Sequence, residues 1–305
     1  MITRREFGAL TLGGIVAGIN LKANTVSGVR LGVQTYSFRD LPRVPGGDAI
    51  DPVIKAMTEC GLTECELYAP QVEPQFGGGA RGARGAPPSP EAVKAREDAR
   101  KWRLETPLDH FAGIKKKFDA AGITVYAYNY SANGSYTEAE IDRGFDMAKA
   151  LGAEIITMST TLGVAKRIAP FAEKHNMVVA MHGHSNVNDP NEFATPDSFA
   201  TAMKMSKLFK VNLDIGHFTA ANFDAMDYIR QHHGDITNLH LKDRKKNQGD
   251  NVPWGQGGTP IREVLQLLKK ERWPIRAYIE YEYRGQGGPV EEVKKCYAFA
   301  KQALA

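Results

Sequence analysis

The chain is poor in cysteine and carries no strong excess of charge. Its three cysteines, Cys60, Cys65 and Cys296, are odd in number and lack CxxC spacing. They read as buried thiols, which excludes a disulfide framework and a purely thiolate zinc site. A net charge of +4 over 305 residues provides no polyanion-binding surface, so nucleic acid is not an expected partner. No GxGxxG follows the first strand pattern, which argues against an open dinucleotide-binding sheet. The apolar run in MITRREFGALTLGGIVAGINL, at the N-terminus, is too short to span a bilayer.

That N-terminal stretch has a paired arginine, a Phe two residues later and, after Glu6, an apolar run free of acidic residues. Thr3, Arg4, Arg5 and Phe7 resemble a twin-arginine export signal, with Gly8 where Leu is commoner. A Gly-rich run that is apolar on all sides makes a poor surface helix. Residues 1–28 are therefore expected to be a signal or anchor segment, and the protein is expected to be exported, periplasmic or extracytoplasmic. No small-x-small cleavage site stands in LKANTVSG, so contact with a membrane depends on whether the segment is retained.

From position 29 to 305 the chain alternates β-rich apolar runs with helical patterns. Strands are expected over 30–38, 63–69, 123–130, 154–159, 177–184, 210–217, 236–243 and 275–283. Helices are expected between them, several ending in Gly or Asn, as at Gly122, Gly152 and Asn176. Strict alternation with nearly continuous apolar strands predicts a parallel sheet covered by helices. Eight such units in one domain predict a single closed α/β barrel, the (β/α)8 or TIM barrel. One Gly/Arg/Pro-rich segment, 71–90, breaks the alternation and is expected to be a long loop on the face where barrel enzymes work. Arg81 and Arg84 within it are candidates to meet an anionic or polyhydroxyl ligand.

Polar residues gather where strands end. His182, Gly183 and His184 close the fifth strand, Asp214 and His217 the sixth, His240, Lys242, Asp243 and Arg244 the seventh, and Glu280 and Glu282 belong to the eighth. In a barrel these ends meet at one mouth, where emerging polar groups are costly to bury unless they bind something. Taken singly, Asp214 reads equally as a turn cap and His217 or His240 as a core histidine. An unpaired Glu280 in a buried strand is harder to explain without a ligand. Together they make a mixed nitrogen and oxygen site suited to one divalent ion, Mn, Co, Zn, Fe or Mg. Gln34 and Tyr36, Glu66 and Asn129 lie near other expected strand ends, where each reads first as structural and otherwise as a hydrogen-bond partner of sugar hydroxyls. Trp254 is a candidate apolar wall for a sugar ring, with packing an equal alternative. Lys242 is read either as neutralising an enolate or as pairing with Asp243.

The segments HGH (182–184), LDIGH (213–217), HLKD (240–243), GQG (255–257, where GEG is usual) and IE (279–280), with EL at 66–67, resemble the successive motifs of the xylose-isomerase-like barrel family of sugar isomerases and epimerases. The resemblance implies a metal-dependent sugar isomerase or epimerase that abstracts a proton next to a carbonyl and stabilises the enediolate with the metal. It places Asp214, His240 and Glu280 at ligand positions and His217 against the substrate. On the fifth strand the family has Glu where this chain has His182, so the expected reading is His182 as ligand and His184 facing the substrate. Glu280, His184 and His217 are the catalytic candidates, and Lys242, Glu66, Gln34 and Trp254 join His217 in binding a small carbohydrate. Loss of the second Glu and the export signal keep a 3-keto-glycoside lyase as the alternative. A non-catalytic sugar-binding protein and an abasic-site endonuclease are further alternatives, and a homo-oligomer is compatible with the sequence.

Overall fold

A computed structural model describes residues 25–43, 46–77 and 89–305. Eight parallel strands close into one barrel: β1 (Val29–Gln34), β2 (Glu64–Tyr68), β3 (Thr124–Asn129), β4 (Ile155–Met158), β5 (Val178–His182), β6 (Phe209–Asp214), β7 (Ile236–Leu241) and β8 (Arg276–Ile279). Leu31, Gly32 and Val33 of β1 pair with Ala277, Tyr278 and Ile279 of β8, and that ladder closes the ring. Branched and aromatic residues such as Val179, Val211 and Leu239 are fully enclosed because helices cover the outer face of a sheet whose inner face is filled. The fold is thus the single (β/α)8 barrel that the alternation predicts.

Six of the eight strands fall inside their expected spans and two begin one residue earlier, at Val29 and Phe209, but most stop early. Thr35–Phe38 turns into a 3-10 helix, Ile215–Ala220 into a one-turn helix, and the eighth strand ends at Ile279, one residue before Glu280. Shorter strands bring the polar residues that follow them onto the mouth rather than into the ladder. Helix ends behave as the sequence indicates: Gly61 and Asn176 take left-handed backbone at φ 71 and φ 47 and close their helices.

Two segments depart from expectation. The expected 71–90 loop differs at its two ends, and its residues 78–88 lie outside the described residues. Gln71 and Val72 end a helical turn, Ala69–Val72, and Pro90 begins a sixteen-residue helix, Pro90–Glu105, capped by the Ser89 hydroxyl. That helix buries only Ala99, so its pattern carried almost no apolar stripe to read. Arg81 and Arg84 lie outside the described residues. So do residues 1–24 of the expected leader, whereas Thr25–Val26 pairs antiparallel with Val29 and Arg30 across a Ser27–Gly28 turn. Among the described residues no helix is long and apolar enough to cross a membrane.

Candidate functional site

The inside of the barrel is polar along its axis. Low in it, Glu64 pairs with Arg30 at 2.7 Å and Arg276 at 3.2 Å and accepts from the Tyr278 hydroxyl at 2.9 Å. Above it, Glu66 is fully buried and accepts from Gln34 and Thr157 at 2.7 Å each, Asn129 at 3.1 Å and Asn238 at 2.9 Å. At the C-terminal mouth a cavity of about 440 Å³ opens, walled by His182, His184, His217, His240, Lys242 and Glu280. A wider hollow of about 870 Å³ lies beside it, around Phe76, Arg96, Arg103 and Tyr136, but holds no comparable cluster of ligand-type side chains.

Each of four side chains reaches the centre of the mouth from a different strand end. His182 is the last residue of β5, and its Nδ1 lies 3.1 Å from the Ser159 hydroxyl, which leaves Nε2 to face Asp214 Oδ2 at 3.4 Å. Asp214 closes β6. Its Oδ1 accepts from the His217 backbone N–H at 2.7 Å, so the capping role is real, while Oδ2 turns to the centre. His240, on β7, places Nε2 at 2.8 Å from Glu66 and Nδ1 at 3.2 Å from Glu280 Oε2. Glu280 is held by its backbone N–H to Leu241 at 3.0 Å. One ligand atom from each of the four lies within 4.8 Å of all the others, and all four residues are buried.

These inward atoms, His182 Nε2, Asp214 Oδ2, His240 Nδ1 and Glu280 Oε2, are all without a hydrogen-bond partner of acceptable geometry. Buried polar atoms are rarely left so, and four at one point need a common explanation. Lys242 approaches two of them at ion-pair distance, 3.0 Å from Asp214 and 2.8 Å from Glu280, off the hydrogen-bond directions, and also pairs with Glu282. Lys242 as a whole is only 2 % exposed. Burial would lower its pKa, but Asp214, Glu280 and Glu282 raise it well above the usual lysine range. Burial raises Asp214 and Glu280 in turn, and Lys242, with His217 and His182 for Asp214 and His240 for Glu280, outweighs it and holds both below the carboxylate range. Burial, His182 and Lys242 push His184 down to about 3, and burial and Lys242 push His217 well below its usual value. Burial lowers the His240 pKa, but Glu66 and Glu280 outweigh it and raise it well above the usual imidazole value. The mouth at neutral pH therefore holds ionised carboxylates, a charged lysine, a charged His240 and two neutral imidazoles.

His184, His217, Lys242, Gln34, Tyr36 and Asn129 line the cavity where the sequence places them. Three expectations are corrected by position. Glu66 does not reach the cavity: it lies behind His240 with 0 % exposure. Trp254 packs edge-on against Phe299 with ring centres 5.7 Å apart and borders a separate hollow. Lys242 does not pair with Asp243, whose carboxylate instead accepts from the backbone of Gly255, Gly257 and Thr259 at 2.8, 2.9 and 3.1 Å. Ser159, Ser131 and Tyr68 also face the cavity and were not singled out by the sequence, although Ser159 follows the end of a strand as the other site residues do.

A closed (β/α)8 barrel with imidazoles and carboxylates meeting at the mouth defines a class, and the comparisons define the family. The chain belongs to the xylose isomerase-like TIM barrel family, whose model matches residues 79–302. Part of the chain is 28% identical over 97 residues to L-ribulose-5-phosphate 3-epimerase UlaE of Salmonella paratyphi A. That match spans 32% of this chain and about a third, 34%, of the relative. D-psicose 3-epimerase of Clostridium cellulolyticum H10 shares the fold with a TM-score of 0.61 at 13% identity, over 90% of this chain and 99% of that one. The 3-keto-D-glucoside 4-epimerase of E. coli does so with a TM-score of 0.59 at 11% identity, over 90% and 99%.

Proposed function

We propose that this chain is an exported, divalent-metal-dependent sugar isomerase or epimerase that removes a proton from the carbon next to a carbonyl. The observation that carries this reading is the meeting of four partnerless buried atoms, two imidazole nitrogens and two carboxylate oxygens, at one point of a polar cavity. A cavity of about 440 Å³ is of the size small-molecule sites have. The donor set fits a cation, because two ionised carboxylates and two imidazole nitrogens face one point, and a divalent ion there would take the place of the proton that Glu66 and Glu280 favour on His240. His182, Asp214, His240 and Glu280 would hold one divalent ion, which when bound supplies a Lewis acid for a substrate carbonyl or hydroxyl.

The chain's own residues divide the remaining work. Glu280, ionised and open to the cavity, takes the proton from carbon. Lys242 keeps Glu280 ionised and offsets negative charge arising on a substrate oxygen. His217 accepts from the Arg244 guanidinium at Nδ1 over 2.7 Å, so its proton sits on Nε2, the side of Lys242 and Asp214. It is there a donor to a sugar hydroxyl. His184, neutral and packed beside the His182 and His217 rings, exchanges a proton or hydrogen bond with the substrate. Export is proposed from Thr3, Arg4, Arg5 and Phe7 and the apolar run behind them.

One feature favours a second reading, elimination from a 3-keto-glycoside. Glu280 and Glu282 gather round Lys242, while His182, His184 and His217 pack ring to ring with centres 5.0 to 5.9 Å apart. Epimerisation needs proton carriers on both faces of the carbon, and a single carboxylate base suffices for elimination. In that step Glu280 takes the proton α to the ketone, the C–H electrons form the new C=C bond, and the β alkoxide departs with a proton from Lys242. Turnover measured on a panel of ketoses and 3-keto-glycosides, with Mn, Co or Mg supplied, separates the two. Conversion of ketoses supports the first reading, loss of aglycone from keto-glycosides the second, and silence on both panels defeats both. A sugar-induced rise in melting temperature that survives EDTA, again without turnover, would instead mark a binding protein.

A further inference from the structure

Glu66 is the most heavily engaged side chain in the barrel, and nothing said above uses it. Its Oε1 accepts from the Gln34 and Asn129 amides and the Thr157 hydroxyl, and its Oε2 from the Asn238 amide at 2.9 Å and from His240 Nε2 at 2.8 Å. Asn212 adds longer contacts of 3.4 and 3.3 Å to the two oxygens. The amide NH2 groups that face it can only donate, and five donors already occupy the lone pairs, so the carboxyl has no place for a proton of its own. An ionised carboxylate in a barrel interior normally filled by branched apolar side chains is expensive to maintain. Its neighbours come from β1, β3, β4, β6 and β7, so five strands are shaped around it.

We propose that Glu66 is a positioning residue: by accepting the Nε2 proton of His240 it keeps that proton on Nε2 and fixes the ring's rotation, so that Nδ1 is the atom presented to the cation site. This rests on the reading of His240 as a metal ligand. A histidine ligand commonly donates its other ring N–H to a carboxylate, which orients the ring and raises its basicity. Two observations agree with that role. His240 Nδ1 is one of the four partnerless atoms, and Glu66 itself does not border the cavity. The outer bond from Ser159 to His182 Nδ1 serves the other imidazole in the same way, but with a hydroxyl, so the stronger orientation falls on His240.

The test uses the full chain, stripped with chelator and titrated with Mn²⁺ by calorimetry, and compares Glu66→Gln and Asn238→Ala with the parent. Glu66→Gln is expected to weaken Mn²⁺ binding roughly 10–100-fold, the range typical of outer partners of metal ligands. Asn238→Ala removes a donor to Glu66 without touching His240 and is expected to lower the melting temperature while changing Mn²⁺ affinity less than about 3-fold, well under the effect of losing such a partner. Equal affinity in Glu66→Gln and parent overturns the inference and leaves the metal reading intact. A parent that binds no divalent ion overturns the metal reading itself. Should Glu66→Gln fail to fold, ¹⁵N imidazole spectra of the Zn²⁺-loaded parent decide: a proton on Nε2 of His240 is expected, and a proton on Nδ1 refutes the role.

Discussion

Single residues carry the sharpest consequences. Gly216, inside the LDIGH stretch, is required by the lysine that passes over it: a Cβ there would stand 2.3 Å from Lys242 Cγ and 2.7 Å from its carbonyl oxygen. Gly216→Ala should displace Lys242 from Asp214 and Glu280, destabilise the fold by about 1–3 kcal/mol as other overpacked sites do, and remove most of the turnover. Urea titration with kinetics on the soluble variant checks both, and a variant with unchanged stability and rate would contradict the placement of Lys242. The donor set has its own signature. Two imidazole nitrogens beside two carboxylates favour Mn, Co or Zn over Mg, so competition calorimetry should rank Mg weakest. The cysteines are expected to be silent. Burial pushes Cys60 up to about 11 and Cys296 up to about 12, and raises Cys65 well above the thiol range. Raised values keep the reactive thiolate scarce until pH climbs far past 9, so a disulfide exchange reagent at pH 8 should label the thiols only after denaturant is added. Rapid labelling of the native protein would contradict their burial. At this scale the polar strand ends, His182 through Glu280, were legible because nothing else explains charged groups closing apolar runs. Glu66 was misread as facing the sugar, since a sequence shows that a residue lies near a strand's end but not how far its neighbours extend beyond it.

Helices and their caps show how the barrel's outer layer is held. Thr137 and Glu140 form a capping box at the start of the helix Glu138–Ala150, and Glu140 also binds Arg100 at 2.9 Å and Arg103 at 3.2 Å. The helix Pro90–Glu105 is thereby tied to its neighbour by charge rather than by an apolar stripe. Burial raises the Glu140 pKa, but the Thr137 cap and Arg100 more than offset it and hold the carboxyl below its usual value. A carboxyl lowered in the folded state stabilises at pH above its unfolded value and loses that contribution as pH falls through the folded one. Glu140→Gln should therefore be less stable than the parent by about 1 kcal/mol at pH 7, in line with other lost caps, with the gap closing below about pH 4. Denaturant titrations at the two pH values measure it, and a gap that persists in acid would refute the assignment. Charge pairing of this kind explains why the Pro90–Glu105 helix was invisible in the sequence. Periodicity reports burial, and this helix buries one alanine. The other helices, such as Ile261–Glu271 with Val264, Leu265 and Leu268 inward, were readable for the opposite reason.

Seen whole, the molecule is a barrel whose strand ends converge on one polar mouth and whose fold was predictable from alternation alone, because parallel strands need both faces covered and each helix announces itself by its buried side. Where each strand stops was not predictable, since the last residues of 30–38, 210–217 and 275–283 have strand-like composition and are turned away by tertiary contacts at the mouth. The N-terminal segment makes a prediction about location. Replacing Arg4 and Arg5 together with Lys should abolish export of the full chain, scored by fractionation of the producing cells, and unimpaired export would refute the twin-arginine reading. The most direct test of the central claim is elemental analysis of the purified protein beside its Asp214→Asn variant, which retains the side-chain oxygen that caps the 215–220 helix and loses the inward charge. The account predicts near-stoichiometric divalent metal in the parent and little in a variant that remains folded. Equal metal content in the two, or none in the parent after loading with Mn, Co or Zn, would contradict it.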